Sequence, residues 1–524
     1  MRWVYYLISI VGPITVAAIY PFWPDIIYSL FLLIPYMVIG FFDILYKKKT
    51  ILRNYPVVGH LRYFLEYFRP EIQQYFIESD SNGTPYSREI RSYVYQKAKN
   101  VRDTIAFGTK NEITQIGYQF SYHSLVPCYA DHAVARVAFG GPACTKPYNA
   151  SILNISGMSF GALSPNAIRA LNKGAKKGNF AHNTGEGGLS PYHLEGGGDL
   201  IWQIGTGYFG CRKKDGQFDP EEFAKKANIE VVKMIEIKLS QGAKPAHGGI
   251  LPGVKVTEEI AKIRILEPGK DAFSPPMHSE FSTPEGLLQF VDKLRNLSNG
   301  KPVGFKLCIG KKSEFLSICK AMLKTGITPD FITVDGAEGG TGAAPVTFCN
   351  RIGTPINEAL VFVNNCLVGI NVREKIRVIA SGKIATGYDI LSKIALGADT
   401  CNMARVMMFA LGCVQSLSCN TNRCPTGVAT QNKHRWISLD VQDKHIRVAN
   451  FHKNSIHDFL EILGALGKNH PDQLTAEDVR KYADVSISKS FAELYPQLKP
   501  GELLGNEIHS EFKEHWAMAS AEKF

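Results

Sequence analysis

Three cysteines in one short run, Cys413-VQSLS-Cys419-NTNR-Cys424-Pro425, carry the densest chemistry in the chain. With five and then four residues between them, the thiols suit a single compact loop around a small metal centre. Thiolates are the usual ligands of iron–sulfur clusters, and a Cys-Pro step commonly closes such loops. Three ligands rather than four imply a cluster with one corner missing, of the three-iron type. A structural zinc site would need a fourth ligand. Cys401 or His434 is available for that, but neither has finger spacing. The bland alternative is three unrelated buried cysteines, since a free thiol packs as a small hydrophobe. On the cluster reading Cys413, Cys419 and Cys424 are metal ligands, and the protein moves single electrons.

A second set of residues suits a phosphate. Ser381-Gly382-Lys383 and Met403-Ala404-Arg405 each follow a β-rich run near the end of an alternating βα pattern. In barrels built from such units, a phosphate often rests on the loops after strands seven and eight. Glycine lets the backbone approach the phosphate, while Lys383 and Arg405 neutralise it. A flavin mononucleotide carries such a phosphate and splits two-electron chemistry into the single-electron steps a cluster needs. A third pattern, Gly205-T-Gly207-YF-Gly210, matches GxGxxG after a strand. The adjoining residues, Cys211-RKKDGQF, read as a turn where a dinucleotide site requires a helix, so no NAD(P)H site is expected there.

The elements that must position these groups span residues 151–432. Candidate strands are Ser151–Ser156, Phe180–Thr184, Ile201–Tyr208, Val231–Leu239, Pro302–Cys308, Asp330–Asp335, Ile376–Ala380 and Thr400–Ala404. Their alternation with helical patterns predicts an α/β fold, a (β/α)8 TIM barrel. Glycine-rich segments follow the strand ends: Gly157-MSF-Gly161, Gly185-Glu186-Gly187-Gly188 and Gly336-AE-Gly339-Gly340-T-Gly342.

The barrel is preceded by a hairpin. Trp3 to Phe22 is almost free of charge, and Ile26 to Tyr46 is a second apolar stretch broken only by Asp43. Each is about 20 residues, enough for a helix to cross the hydrocarbon core. The connector Pro21-Phe22-Trp23-Pro24-Asp25 breaks the helix and sets aromatics at the interface. Arg2 and Lys47-Lys48-Lys49 flank the pair, which predicts a two-pass anchor in the cytoplasmic membrane with the catalytic domain in the cytoplasm. A cleaved signal peptide is the alternative, with Val16-Ala17-Ala18 as its cleavage site. The predicted organisation is thus a transmembrane hairpin over 1–49, a connector over 50–150 covering one end of the barrel, the barrel with its cysteine loop over 151–432, and a helical extension over 433–524. In that extension an amphipathic helix near Val448–Leu466 and a capping box at Thr475–Asp478 are expected.

Composition agrees. Of 524 residues, 45% are hydrophobic and 47 are glycine, which suits a large α/β core with many tight turns. Eleven cysteines without regular spacing argue against a secreted disulfide scaffold. The net charge of +11 is spread out, and no basic run carries the interleaved aromatics of a nucleic-acid binder.

Together the motifs resemble the FMN-binding domain of glutamate synthases, in its membrane-anchored branch. The matching stretches are Gly157-MSFGALSPNA, Asn183-TGEGG, Gln241-GAKPAHGGILPGVKV, Ser274-PPMHS, Phe305-KL, Asp335-GAEGGTGAAP, Ser381-GKIATG and the cysteine run through Cys424-PTGVATQ, in family order over roughly residues 120–470. The resemblance implies FMN, a [3Fe-4S] cluster and reduction of 2-iminoglutarate to glutamate. By position, Met158, Ser159, Gly161, Gly339 and Gly340 would line the flavin. Lys306 would stabilise its reduced, anionic form, and Ser381, Gly382, Lys383, Ala404 and Arg405 would hold its phosphate. Glu186 would serve as acid–base residue at the substrate nitrogen, and Lys238, Gln241 and Lys244 would clamp the dicarboxylate. The chemistry asks for such a set independently: an imine with two carboxylates needs cations around it and a carboxylate near its nitrogen. With a membrane span at its start and helical patterns over residues 435–524, this sequence is not expected to carry the family's N-terminal amidotransferase or its glycine-repeat tail. The expected partners are therefore an external electron donor, either ferredoxin or an NAD(P)H-oxidising flavoprotein subunit, and membrane lipid, with no nucleic acid; ammonia would come as free ammonium or from a separate ammonia-supplying amidotransferase, unless the chain oxidises a different amino acid. Two other functions compete: a membrane oxidoreductase passing electrons from an amino acid or amine to quinone, and a non-catalytic electron-transfer subunit.

Overall fold

Eight parallel strands close into a barrel, and all eight fall where the apolar runs place them. The computed structural model describes residues 1–101 and 104–524; Arg102 and Asp103, within the expected 50–150 connector, lie outside the described residues. The barrel strands are β1 (Leu153–Ile155), β2 (His182–Asn183), β3 (Leu200–Ile204), β4 (Val232–Lys238), β5 (Val303–Leu307), β6 (Phe331–Asp335), β7 (Arg377–Ser381) and β8 (Thr400–Met403). Each pairs with the next, and β8 pairs with β1 to close the ring. The strands are buried on both faces, which is why they read as near-continuous apolar runs.

Helix starts in the βα loops are written locally. Ser164 accepts a hydrogen bond from the Ala167 N–H, with Pro165 as first helical residue. Asp219 with Pro220 and Thr283 with Pro284 repeat the device. A capping side chain followed by proline supplies one missing acceptor and fixes φ for the first turn.

The bottom of the barrel is plugged by an antiparallel hairpin, Arg136–Phe139 with Tyr148–Ser151. Phe139, Tyr148 and Ala150 join Ala181, Ile201, Met234, Phe331 and Ile379, at or near the starts of their strands, in one apolar cluster. Phe139 meets Phe331 edge to face at 5.8 Å. On the C-terminal side, helix Val441–Ala465 packs along helix Pro165–Gly178. Gly174 makes this approach possible: a Cβ there would lie 2.7 Å from Val448 Cβ. The capping box at Thr475 is present but opens only a short 3-10 turn, Ala476–Asp478, because a strand follows at Arg480.

The chain divides into two compact units, Met1–Arg88 and Glu89–Phe524. The second holds the whole barrel. In the first, two helical segments, Arg2–Ile19 and Pro24–Leu45, are long and apolar enough to cross a membrane, and only 6% of each is buried. They pack on each other through Tyr5, whose hydroxyl donates to the Met37 carbonyl at 2.6 Å. A chain beginning at Glu89 is expected to stay soluble and to keep a full complement of whatever the barrel binds. Sedimentation of that chain with membranes would place a further anchor in the second unit.

Candidate active site

Strand order sorts the mouth of the barrel into two arcs. The loops after β6, β7, β8 and β1 are neighbours, and the loops after β2, β3 and β4 face them. Lys306 on β5 stands at one boundary, in register with Lys238 of β4 and Thr333 of β6.

The second arc gathers charge. Lys238 donates to Glu186 Oε1 at 2.6 Å and also to the Gln241 side chain. Glu186, Lys238, Gln241 and Lys244 line one small cavity of about 10 Å³. Lys244 donates to the Ala343 carbonyl at 2.8 Å. Two bare positions make room for the carboxylate: a Cβ on Gly205 or on Gly249 would come within 2.7 Å of the Glu186 side chain. This also explains why β3 stops at Ile204 instead of running to Tyr208. After the GxGxxG glycines no helix starts before Pro220, so the dinucleotide pattern is a loop.

Sequence reasoning missed Arg264. It ends helix Glu258–Arg264 and is 4% exposed, donating to the Phe160 carbonyl at 2.8 Å; its Nε is buried without a hydrogen-bond partner. A buried guanidinium with an unused donor suits a carboxylate ligand. These cations decide the state of Glu186. Burial alone would raise its pKa, but Lys238, Lys244 and Arg264 outweigh burial and hold it below the usual carboxylate range. Burial, together with Lys238, pulls Lys244 down to about 8 against the attraction of Glu186, and burial pulls Arg264 down to about 10. The resting site is thus an ionised carboxylate among cations.

Below the mouth lies a polar layer that was also missed. Glu236, fully buried on β4, accepts from Asn183 Nδ2 at 3.0 Å, Gln203 Nε2 at 2.6 Å and Thr333 Oγ1 at 3.0 Å. A charged residue two positions before Lys238 in an apolar strand was the available signal, since i and i+2 share a face.

The first arc contains the proposed cofactor residues. Lys306 lies 3.5 Å from Asp335 Oδ1, and Asp335 Oδ2 accepts from the Gly242 N–H at 2.8 Å. Ser381 pairs with Asn402 across β7 and β8, which brings Gly382-Lys383 beside Ala404-Arg405. Ser156 and Ser381 hydroxyls are 3.3 Å apart, and the Gly336 N–H donates to the Ser381 carbonyl at 2.8 Å. Gly382 has φ +139, outside the ordinary reach of a side-chain residue. Lys383 is exposed, and Arg405 donates to the Glu338 carbonyl at 2.6 Å while crossing Gly340, where a Cβ would sit 2.5 Å from the Arg405 chain. Met158, Ser159 and Gly161 form the loop after β1, and the Met158 and Ser159 backbone abuts Gly185. The donor set, with two cations on the loops after β7 and β8 and Lys306 beside the β6 end of the arc, fits a phosphate-bearing flavin.

The three cysteines lie on one loop after helix Arg405–Ala410, and each thiol is within electrostatic range of the others. Burial raises the Cys413 and Cys419 thiols. Burial also acts against ionisation of Cys424, but the Thr426 hydroxyl and the N–H groups of Ala429, Thr426 and Val428 hold its pKa below the usual thiol value. Among the described residues no group of three or more Cys, His, Asp or Glu side chains is placed to hold a metal ion. Cys401 is buried within β8, and His434 is exposed on helix Lys433–Trp436. The loop is tied to the one after β1. Gln431 Nε2 donates to the Gly161 and Leu163 carbonyls at 3.0 and 2.8 Å, and Lys255 Nζ donates to the carbonyls of Ala162, Cys419 and Ala429.

Comparison with known proteins gives the chain's relatives. Residues 144–469 match the conserved region in glutamate synthase. The glutamate synthase large subunit-like protein YerD of Bacillus subtilis is 38% identical over 474 residues, covering 83% of this chain and 90% of its own. The archaeal glutamate synthase [NADPH] of Methanocaldococcus jannaschii is 37% identical over 321 residues, covering 61% of this chain and 60% of its own. A solved mutant flavocytochrome b2 with pyruvate bound aligns over 86% of this chain and 91% of its own at TM-score 0.42 and 13% identity, too slight a likeness to bear on the site.

Proposed function

The chain belongs to the glutamate synthase family, an oxidoreductase family acting on CH–NH2 donors, and from that premise we propose that it reduces 2-iminoglutarate, formed from 2-oxoglutarate and ammonia, to glutamate. The observation that carries this reading is Glu186 held ionised among Lys238, Lys244 and Arg264. A site for a dicarboxylate imine needs that inversion: cations for two carboxylates and one anion for the nitrogen.

FMN, when bound across the first arc, supplies the hydride equivalent and the single-electron steps. Ser381, Gly382, Lys383, Ala404 and Arg405 would hold its phosphate, and Lys306 places a cation where negative charge accumulates. Lys238, Gln241, Lys244 and Arg264 bind the substrate's carboxylates. Because Glu186 is ionised, it enters as an acceptor: it takes a proton from ammonium as ammonia adds to the 2-oxo carbon, returns it to the carbinolamine hydroxyl that leaves as water, and, ionised again, accepts the N–H of the protonated imine. Turnover of 2-oxoglutarate plus ammonium with a reduced dye, followed as glutamate formed, tests the reading; flavin-loaded protein that makes none overturns it.

The Lys244 ammonium gives this turnover a pH signature. With its folded pKa lowered to about 8, it is charged below that pH and neutral above it. The KM for 2-oxoglutarate is therefore expected to rise as pH passes upward through about 8, and Lys244→Arg should move that rise to higher pH. A KM flat from pH 7 to about 9 would remove Lys244 from the clamp.

The cysteine loop would hold a [3Fe-4S] cluster. Support comes from the spacing of the three cysteines on one short loop and from the bonds that lace that loop to the one after β1. Electrons would arrive from an external donor, ferredoxin or an NAD(P)H-oxidising flavoprotein, with ammonia taken free or from a separate amidotransferase. The two apolar helices would anchor the protein in the cytoplasmic membrane with the barrel on the cytoplasmic side.

A further inference from the structure

We propose that residues 59–77 form a second membrane element, an amphipathic helix lying on an anionic lipid surface beside the hairpin; this rests on the reading of the hairpin as a membrane anchor. Helix Gly59–Ile72 continues into a π-helical turn, Gln73–Ile77. Leu61, Phe64, Leu65, Phe68, Ile72 and Phe76 recur at helical spacing, so they form one stripe. All six are exposed, Phe76 at 84%. Arg62, Glu66, Arg69 and Gln73 take a separate stripe. An apolar stripe of this size left in water marks a surface made for something else.

Three observations point to lipid as its cover. The first is continuity, because only thirteen residues separate Leu45, the end of the second apolar segment, from Gly59. The second is a tie between the two. Asp43, the one acid in helix Leu30–Leu45 and 5% exposed, accepts from the Val57 N–H and from His60 Nε2, both at 2.8 Å. Arg53 Nε adds a bond to the Ile44 carbonyl at 3.1 Å. These bonds fix the start of the helix at the level where the apolar segment ends, which is where the headgroups begin. The third is charge: residues 47–77 carry six Lys and Arg against two Glu, the bias expected beside anionic headgroups. A helix of this kind sits with its apolar face about 5–10 Å into the headgroup–acyl boundary.

The test uses the full chain in nanodiscs of phosphatidylcholine with phosphatidylglycerol. Phe68→p-benzoylphenylalanine places a photo-crosslinker on the apolar stripe, Arg62→p-benzoylphenylalanine on the polar one, and Leu32→p-benzoylphenylalanine within the hairpin. Irradiation followed by mass analysis should give lipid adducts at 32 and 68, several-fold fewer at 62, and a lower yield at 68 when phosphatidylglycerol is left out. Lipid adducts at 32 with none at 68 would overturn the interfacial helix and leave the hairpin reading standing. Adducts at neither position would sink both. Chain-to-chain adducts at 68 would make the stripe a protein interface, and equal yields at 62 and 68, or in neutral bilayers, would also contradict the proposal.

Discussion

Glu186→Gln is expected to lower turnover by about 10²–10⁴-fold, the usual contribution of a group that exchanges a proton in the reaction. The amide keeps the size of the side chain and can still meet Lys238, but it carries no negative charge and takes no proton. Gly205 and Gly249 leave the space that its side chain occupies. Flavin content should be unchanged, because the proposed phosphate residues lie on the loops after β7 and β8 and Glu186 bonds to none of the proposed cofactor residues. Removing the anion also leaves Lys238, 8% exposed, without its counter-charge. Breaking a buried pair in this way costs up to about 3–5 kcal/mol of stability, so thermal denaturation belongs beside the kinetics. A drop in turnover per folded, flavin-loaded molecule at a temperature well below the variant's own melting point assigns Glu186 to the chemistry. Loss of flavin would make it a cofactor-loop residue, and near-normal turnover would remove it from the mechanism.

Cys419→Ser is expected to abolish iron binding and its low-temperature EPR signal while FMN stays at least partly bound. The separation comes from the chain path, since helix Arg405–Ala410 stands between the proposed phosphate loops and the cysteines. Coupling between the two is also expected. The Cys419 carbonyl is held by Lys255, which at the same time holds Ala162 after β1. A disordered cysteine loop therefore loosens one wall of the flavin arc, and partial flavin loss is consistent with the account. Unchanged iron content in this variant would eliminate the three-cysteine site.

The barrel was legible because most of its strands are buried on both sides and carry apolar runs such as Leu200–Ile204 and Phe331–Val334, although β2 is only His182–Asn183. Strand ends were less legible. Ile201–Tyr208 reads as one run, yet β3 stops at Ile204, since Gly205 must leave space for a side chain that arrives from β2. Glu186, Lys238, Gln241 and Lys244 were placed by their motifs, and the structure brings all four to one cavity. Arg264 stayed hidden for a local reason. In EEIAKIR it reads as a basic residue in the last turn of a surface helix, and only the tertiary fold buries it against Phe160. Glu236 gave a faint signal as a charge inside an apolar strand. Asp43 gave a stronger one as the single acid in an apolar helix, but its partners, Val57 and His60, become visible only once the chain turns back.

The most direct test is an anaerobic titration of the purified full chain, watching the flavin absorption band. After reduction by a dye, the bleached band should return when 2-oxoglutarate and ammonium are added together, with glutamate formed in proportion, and should stay bleached with either alone. A band that stays bleached with both present would contradict glutamate synthesis at this site, and if glutamate then bleached the oxidised protein without any nucleotide, the chain would run the opposite way, from amino acid toward a membrane acceptor.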